Sequence, residues 1–495
     1  MGNNSQPSWS YMNGTYPSMN ETQTANTTQL AGMAVWHMVQ GFLSAFPQYQ
    51  PPENESVGIN LFLESYGGRY GPIFADMWEE QNEKRNSGEL DANKTLELHL
   101  TSLGIVNGCV DRELQLPLDP VFANQNTYGY KAITDEEAKF YVDKYNADDG
   151  CGALLRQCVS MAREQDPNDS GAITDVNDIC SFASNTCFEI ERPYYSAGRS
   201  PYDLGAPYQD PSPSMRFIEY LNQAKVQQAI GARTNYTLTS QAVFSVFGET
   251  GDIARGNTIS RLADLVNRGI RVGLIYGDRD YICNWLGGEA VSLGIAQQAG
   301  GEYTAKFPGA GYAPIIVNSS YIGGVVRQFG NLSFSRIYQA GHSVAWYQPE
   351  TAFQVFARIL LGKSLSTGTD IDLSTFNTTG PANATATAKL PAMTTPTCYI
   401  RVFRETCDDD AFALAQRDEG VVINGVLYSS SGDWPLASKT GSPTSETGSS
   451  SSTPTLTGVY TATNTPEDSA SALSRPGLLW ALTILSTVVL HSQWT

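Results

Sequence analysis

From Thr28 to Phe46 the apolar residues Leu30, Met33, Trp36, Val39, Phe42, Leu43 and Phe46 recur at helical spacing, which predicts an amphipathic helix that Pro47 ends. A turn-rich stretch over Pro51–Ser56 follows. Val57–Leu63 is then a short, continuous apolar run and reads as a buried strand. The period changes after it: Tyr70, Ile73, Phe74, Met77 and Trp78 mark one face of a helix over Tyr66–Gln81, so Glu64, Ser65 and Tyr66 occupy a strand-to-helix corner. Two more strand-like runs end in polar residues: Val272–Tyr276 leads into Gly277-Asp278-Arg279-Asp280, and Phe334–Tyr338 into Gln339-Ala340-Gly341-His342. Pro349–Leu361 reads as a helix with proline at its start.

Strands alternating with helices imply an α/β fold with a mostly parallel sheet covered on both faces, whose active sites form at the carboxyl edge. Asp119–Pro211 reads as a loop-rich, cysteine-bearing insertion above that sheet. The expected division is a catalytic domain over residues 1–366, an extension over 367–428, a Ser/Thr-rich stalk over 429–468 and an anchor signal over 469–495. In that last segment the small residues Ser469, Ala470 and Ser471 precede a short spacer and the apolar run Leu478–Leu490, the order of a glycosylphosphatidylinositol attachment signal.

Charge narrows the function. With 50 Asp and Glu against 31 Lys and Arg, the net charge of -19 repels nucleic acid and anionic membranes, so neither is expected as a partner and membrane contact is expected only through a lipid anchor. The cysteines Cys151, Cys158, Cys180 and Cys187 lack the paired knuckles of a zinc site and read as disulfides. No metal or other cofactor is called for. Sequons at Asn3, Asn13, Asn20, Asn26, Asn54, Asn93, Asn168, Asn235, Asn318, Asn331, Asn377 and Asn383 point to N-linked glycans and a secreted or cell-surface protein, with the vacuole as the alternative.

Three corners supply Ser65, Asp280 and His342 in the chain order nucleophile, acid, base. A serine hydroxyl needs a neighbouring imidazole to take its proton, and the imidazole needs a carboxylate to fix its tautomer. Of His37, His99, His342 and His491, only His342 follows a strand and a glycine. Asp278 competes with Asp280 for the acid; Asp280 is preferred because it stands just past the strand end and precedes the apolar pair Tyr281-Ile282.

The segments E-S-Y-G-G-R-Y-G-P (Glu64–Pro72), G-D-R-D-Y-I-C-N-W (Gly277–Trp285) and A-G-H (Ala340–His342) with Gln348-Pro349 together resemble the serine carboxypeptidases, especially fungal ones. Asn107–Asp111, Asn126–Gly129 and Tyr220–Asn222 extend the resemblance, which covers about Thr28 to Leu365. It implies an α/β-hydrolase fold and a serine-type carboxypeptidase releasing C-terminal amino acids from peptides through an acyl-enzyme. It further implies nested disulfides Cys151–Cys187 and Cys158–Cys180, and Cys283 as a free thiol lining the substrate site. Glu64 is implied to bind the substrate's terminal carboxylate through a shared proton, with an acidic optimum as the consequence. Tyr66, Gly67 and Asn284 join the implied substrate-binding set.

The chain also departs from the family. No N-G-G-P-G-C segment, the source of one oxyanion donor, precedes Ser65, and Met1–Tyr11 has neither the basic nor the apolar region of a signal peptide. An N-terminally truncated chain is therefore expected, with Tyr66 N–H as the remaining donor and Cys109 without its partner. Leu63 stands where the elbow motif has its first glycine, and Ser343 where the family often has a larger residue. Two other functions use the same residues: a catalytically impaired hydrolase-like surface glycoprotein, and an esterase or acyltransferase.

Overall fold

The computed structural model describes residues 24–49, 58–208, 216–232, 234–384, 386–392, 398–400, 406–417, 419–423, 426–433 and 481–483. Its first elements are α1 (Thr28–Ala45), β1 (Gly58–Glu64), α2 (Gly67–Asn86) and β2 (His99–Val106). The insertion carries α3 (Asp135–Asn146), α4 (Cys151–Gln165) and α5 (Thr174–Glu191), then the small hairpin β3 (Arg199–Ser200) and β4 (Asp203–Pro207). There follow α6 (Thr258–Asn267), β5 (Arg271–Gly277), α7 (Trp285–Ala299), β6 (Ala313–Asn318), β7 (Tyr321–Phe329) and β8 (Leu332–Ile337). After them come α8 (Val344–Tyr347), α9 (Pro349–Leu360), the strand pair β9 (Val421–Ile423) and β10 (Val426–Tyr428), and β11 (Ala481–Thr483).

The main sheet runs β11-β1-β2-β5-β8-β7-β6. Its strands from β11 to β8 are parallel, while β7 and β6 are antiparallel additions at one edge. The strands are apolar on both faces because both faces are covered, and their alternation sorts side chains into two cores. Leu61, Leu63, Leu103, Leu274, Tyr276 and Phe334 enter one core with Trp36, Met77, Trp78 and Leu262. Phe62, Ile275 and Ile337 point the other way and pack with Val344, Val355 and Ile359.

The anticipated elements occur within a few residues of the sequence reading, and α2 runs on to Asn86 because EQNEKRN contains good helix formers. Several strands were not anticipated, among them β2, whose His99 end is polar and exposed, and the β6–β7 pair. The insertion is helical rather than loop-rich. Leu155, Cys158 and Ala162 on α4 face Val176, Cys180, Ala183 and Cys187 on α5, a helical stripe built from cysteine and alanine instead of large apolar residues.

Cys151–Cys187 and Cys158–Cys180 form as nested pairs between α4 and α5, and Cys398 pairs with Cys407. Cys283 is not a free thiol: it is bonded to Cys109, which has a partner after all. Adjacency of β2 and β5 in the sheet brings the loops beyond their carboxyl ends together, with the two Cα atoms 5.2 Å apart. The stalk and anchor residues lie outside the described residues apart from 429–433 and β11, which pairs with β1.

A buried charge network ties the insertion to α2 and the corner before it. Arg69 of α2 reaches Asp252 and Asp169, each at 3.3 Å, and Arg255 reaches Asp169 at 2.8 Å and Asp166 at 2.9 Å. Asp252 also accepts from the Thr28 N–H at the start of α1 and from the Tyr66 hydroxyl. Three sequence-distant segments are thus fixed around the residue that follows Ser65.

Candidate active site

Ser65 sits between β1 and α2 with φ +62°, a left-handed conformation that is rare for a non-glycine residue and marks a tight strand-to-helix corner. Its backbone holds the strain: Ser65 N–H donates to Val106 O, while Ser65 O accepts from the N–H groups of Gly68 and Cys109. Leu63 does not prevent the turn, because Gly67 gives it room. A Cβ on residue 67 would lie 2.5 Å from Leu63 Cβ. Gly68 permits a second close approach, where a Cβ would lie 2.8 Å from Gly108 Cα. Tyr66 N–H donates to no acceptor among the described residues, since the chain there has left the sheet and only begins the helix.

The carboxyl ends of β5 and β8 place Asp280 and His342 in the same region. Asp280 Oδ2 meets His342 Nδ1 at 2.9 Å, both side chains being buried. Oδ2 also accepts from Asn107 Nδ2 at 2.8 Å and from Cys283 N–H at 3.3 Å. Asp278 takes a different direction, pairing with Arg336 at 3.1 Å and accepting from the Tyr128 hydroxyl and Gln339 N–H. His342 Nε2 is buried and has no hydrogen-bond partner among the described residues, so it remains available to a hydroxyl. Tyr202 from the insertion anchors His342 N–H through its carbonyl at 2.8 Å and sets its ring edge-on to the imidazole at 5.2 Å.

Electrostatics distinguish the titrating groups. Burial disfavours the charged imidazole of His342, but the Asp280 carboxylate and its hydrogen bond, helped by Glu64, hold its pKa above the usual histidine value. Glu64, at the end of β1, is also raised, first by burial; nearby His342 and the Ser343 hydroxyl oppose the rise and Asp280 adds to it. Burial already raises Glu64 in the unliganded protein, so its shift does not wait for the substrate carboxylate that the sequence reading invoked.

The remaining site residues divide. Cys283 is the disulfide partner of Cys109, and the pair joins the loop supporting Ser65 O to the loop supporting Asp280. Asn284 accepts from Gly287 N–H as the cap of α7 and donates to Asp119 at 2.7 Å, so both ends of its amide face protein groups. Sequence reasoning missed Asn107 and Tyr202. Asn107 has φ +39° and also accepts from Gly277 N–H, which binds the ends of β2 and β5 around Asp280. An Asn-Gly pair directly after an apolar run was the available signal for it; Tyr202 carries none, since only the fold brings it to His342.

Comparison with known proteins gives the family. The family description "Serine carboxypeptidase" matches residues 9–362. Carboxypeptidase S1 homolog A of Arthroderma benhamiae is 38% identical over 451 residues, spanning 89% of this chain and 67% of the relative. Carboxypeptidase S1 of Penicillium janthinellum is 34% identical over 347 residues, 70% of this chain and 75% of the relative. Among solved structures, a prohormone-processing carboxypeptidase from Saccharomyces cerevisiae aligns with TM-score 0.46 and 17% identity over 73% of this chain and 72% of that one. The family match takes in Ser65, Asp280 and His342 on one sheet edge, and this chain belongs to the serine carboxypeptidase family, serine-type peptidases built on the α/β-hydrolase fold.

Proposed function

We propose that Ser65, His342 and Asp280 form the catalytic triad of this carboxypeptidase. Ser65 Oγ attacks the last peptide carbonyl, His342 Nε2 takes its proton and passes it to the departing amino acid, and water then hydrolyses the acyl-enzyme. Asp280 holds the imidazole by Nδ1 and favours the imidazolium that forms. Tyr66 N–H is the oxyanion donor that the described residues supply. The observation that carries this reading is the 2.9 Å contact between Asp280 and His342, which leaves His342 Nε2 without a hydrogen-bond partner among the described residues, with Ser65 held at positive φ at the carboxyl end of β1 in the same sheet.

Glu64 is the recognition group for the substrate's terminal carboxylate. Two ionised carboxylates repel, so the productive form has Glu64 protonated and His342 neutral. The ion pair of the two carries the same number of protons, and the limbs of the pH profile therefore belong to the pair. Activity falls at low pH when both hold a proton and at high pH when neither does, with a maximum on the acid side of neutrality.

The alternative is a catalytically impaired glycoprotein in which no second oxyanion donor joins Tyr66 N–H. Loss of one oxyanion donor costs about 10²–10³ in turnover. A fluorophosphonate probe separates the two. A working triad gives a single adduct on Ser65 that disappears in His342→Ala; an unlabelled Ser65 in folded protein supports the impaired form.

The secretory location rests on the four disulfides and the sequons, of which Asn93, Asn168, Asn318, Asn377 and Asn383 are exposed. Among the described residues no helix is long and apolar enough to cross a membrane. Attachment, where it occurs, is through the C-terminal signal, whose removal would also release β11 from β1.

A further inference from the structure

The residue after His342 carries a hydroxyl in position to cap the short helix α8, yet it makes no capping bond. Ser343 Oγ donates instead to Glu64 Oε1 at 2.8 Å. The backbone around it is fixed on both sides, since His342 N–H donates to Tyr202 O and Trp346 N–H donates to Ser343 O, each at 2.8 Å. Among the described residues no donor reaches Glu64 Oε2.

We propose that Ser343 is a positioning residue for recognition of the substrate's terminal carboxylate: by occupying Oε1 it confines the Glu64 proton to Oε2, the oxygen free to donate to that carboxylate. This rests on the carboxypeptidase reading above. A protonated carboxyl has one proton for two oxygens, and an unguided side chain would divide it between them. A hydroxyl donor on one oxygen removes that ambiguity, because the same oxygen cannot also carry the proton at low cost. The hydroxyl has a second effect. It favours the ionised form of Glu64, as does His342 across from it, whereas burial and the Asp280 carboxylate favour the protonated form. Ser343 thereby limits how far up the pH scale Glu64 keeps its proton. A larger apolar residue at this position would leave both tasks undone.

The test is kcat and KM across pH for a free-acid peptide and its C-terminal amide, with the unaltered protein, Ser343→Ala and Ser343→Thr. In Ser343→Ala the alkaline limb of kcat/KM for the free acid is expected to move up by about one pH unit, the size of one hydrogen bond to a charged group. The change should lie in KM, Ser343→Thr should restore the original limb, and the amide should show no upward move of an alkaline limb in any variant. An unmoved limb in Ser343→Ala, with the free acid still cleaved preferentially, overturns the proposal. Should Ser343→Ala fail to fold, Ser343→Gly reads the same limb with the same two outcomes. Equal cleavage of acid and amide by the unaltered protein instead removes carboxylate recognition itself, and the two failures are thus told apart.

Discussion

Asp278 and Asp280 stand two residues apart in one loop, and their surroundings divide their roles. Asp280 faces His342, whereas Asp278 balances the buried Arg336. Asp280→Asn is expected to lower kcat by about 10⁴ with little change in thermal stability, because the imidazole loses its tautomer and counter-charge. Asp278→Asn should do the reverse: it destabilises the protein by about 3 kcal/mol by leaving Arg336 without its carboxylate, while the folded fraction still turns over. Steady-state kinetics and calorimetry on the two variants check the division, and exchanged outcomes would reassign the acid. Glu64→Gln bears on the pH profile. Glutamine donates to a carboxylate without needing a proton, so the loss of activity on raising pH should retreat to higher values; an unchanged alkaline limb would count against Glu64 as the recognition group. The proposed triad Ser65, Asp280 and His342 could be named from the sequence because residue identity and chain order are local facts. The fate of Cys283 was not, since its partner is 174 residues away and meets it only through the adjacency of β2 and β5.

At the scale of elements, the β1–α2 corner shows how a side chain substitutes for a missing glycine. Leu63 fits under the elbow only because Gly67 has no side chain. Gly67→Ala is expected to destabilise by about 1–3 kcal/mol through overpacking, and Leu63→Gly in the same chain, which removes the contacting Cβ, should recover part of that loss. Additive effects in a denaturation cycle would show that the two positions do not press on each other. Strands and helices with large apolar residues were readable from their period. The insertion helices α4 and α5 were not, because cysteine and alanine make up much of their contact stripe, which two disulfides tie together. Replacing Cys158 and Cys180 together by alanine should cost about 3 kcal/mol, measured by chemical denaturation, the value expected for a loop of this size. β2 escaped notice because its first residues, His-Leu-Thr-Ser, resemble a surface strand, although it lies inside the sheet between β1 and β5.

For the whole molecule, the buried arginines Arg69 and Arg255 join the insertion, α1 and the nucleophile corner through three aspartates. No sequence motif announces this network, since the ion-paired residues lie between 86 and 183 positions apart. Its consequence is that the insertion and the catalytic corner should melt together, not as separate units. Differential scanning calorimetry of the unaltered protein should therefore show one transition for this body, and two resolved transitions would contradict it. The net negative charge belongs to the same scale, since the substrate site must accept an anionic peptide end in spite of it. The central claim is that this site recognises and releases a C-terminal amino acid. Its most direct measurement is the time course of amino-acid release from a peptide free acid and from its C-terminal amide, for the unaltered protein and for Ser65→Ala. Stepwise release from the free acid, much slower reaction with the amide and none with Ser65→Ala is the expected result; equal reaction of acid and amide, or release that survives Ser65→Ala, would contradict it.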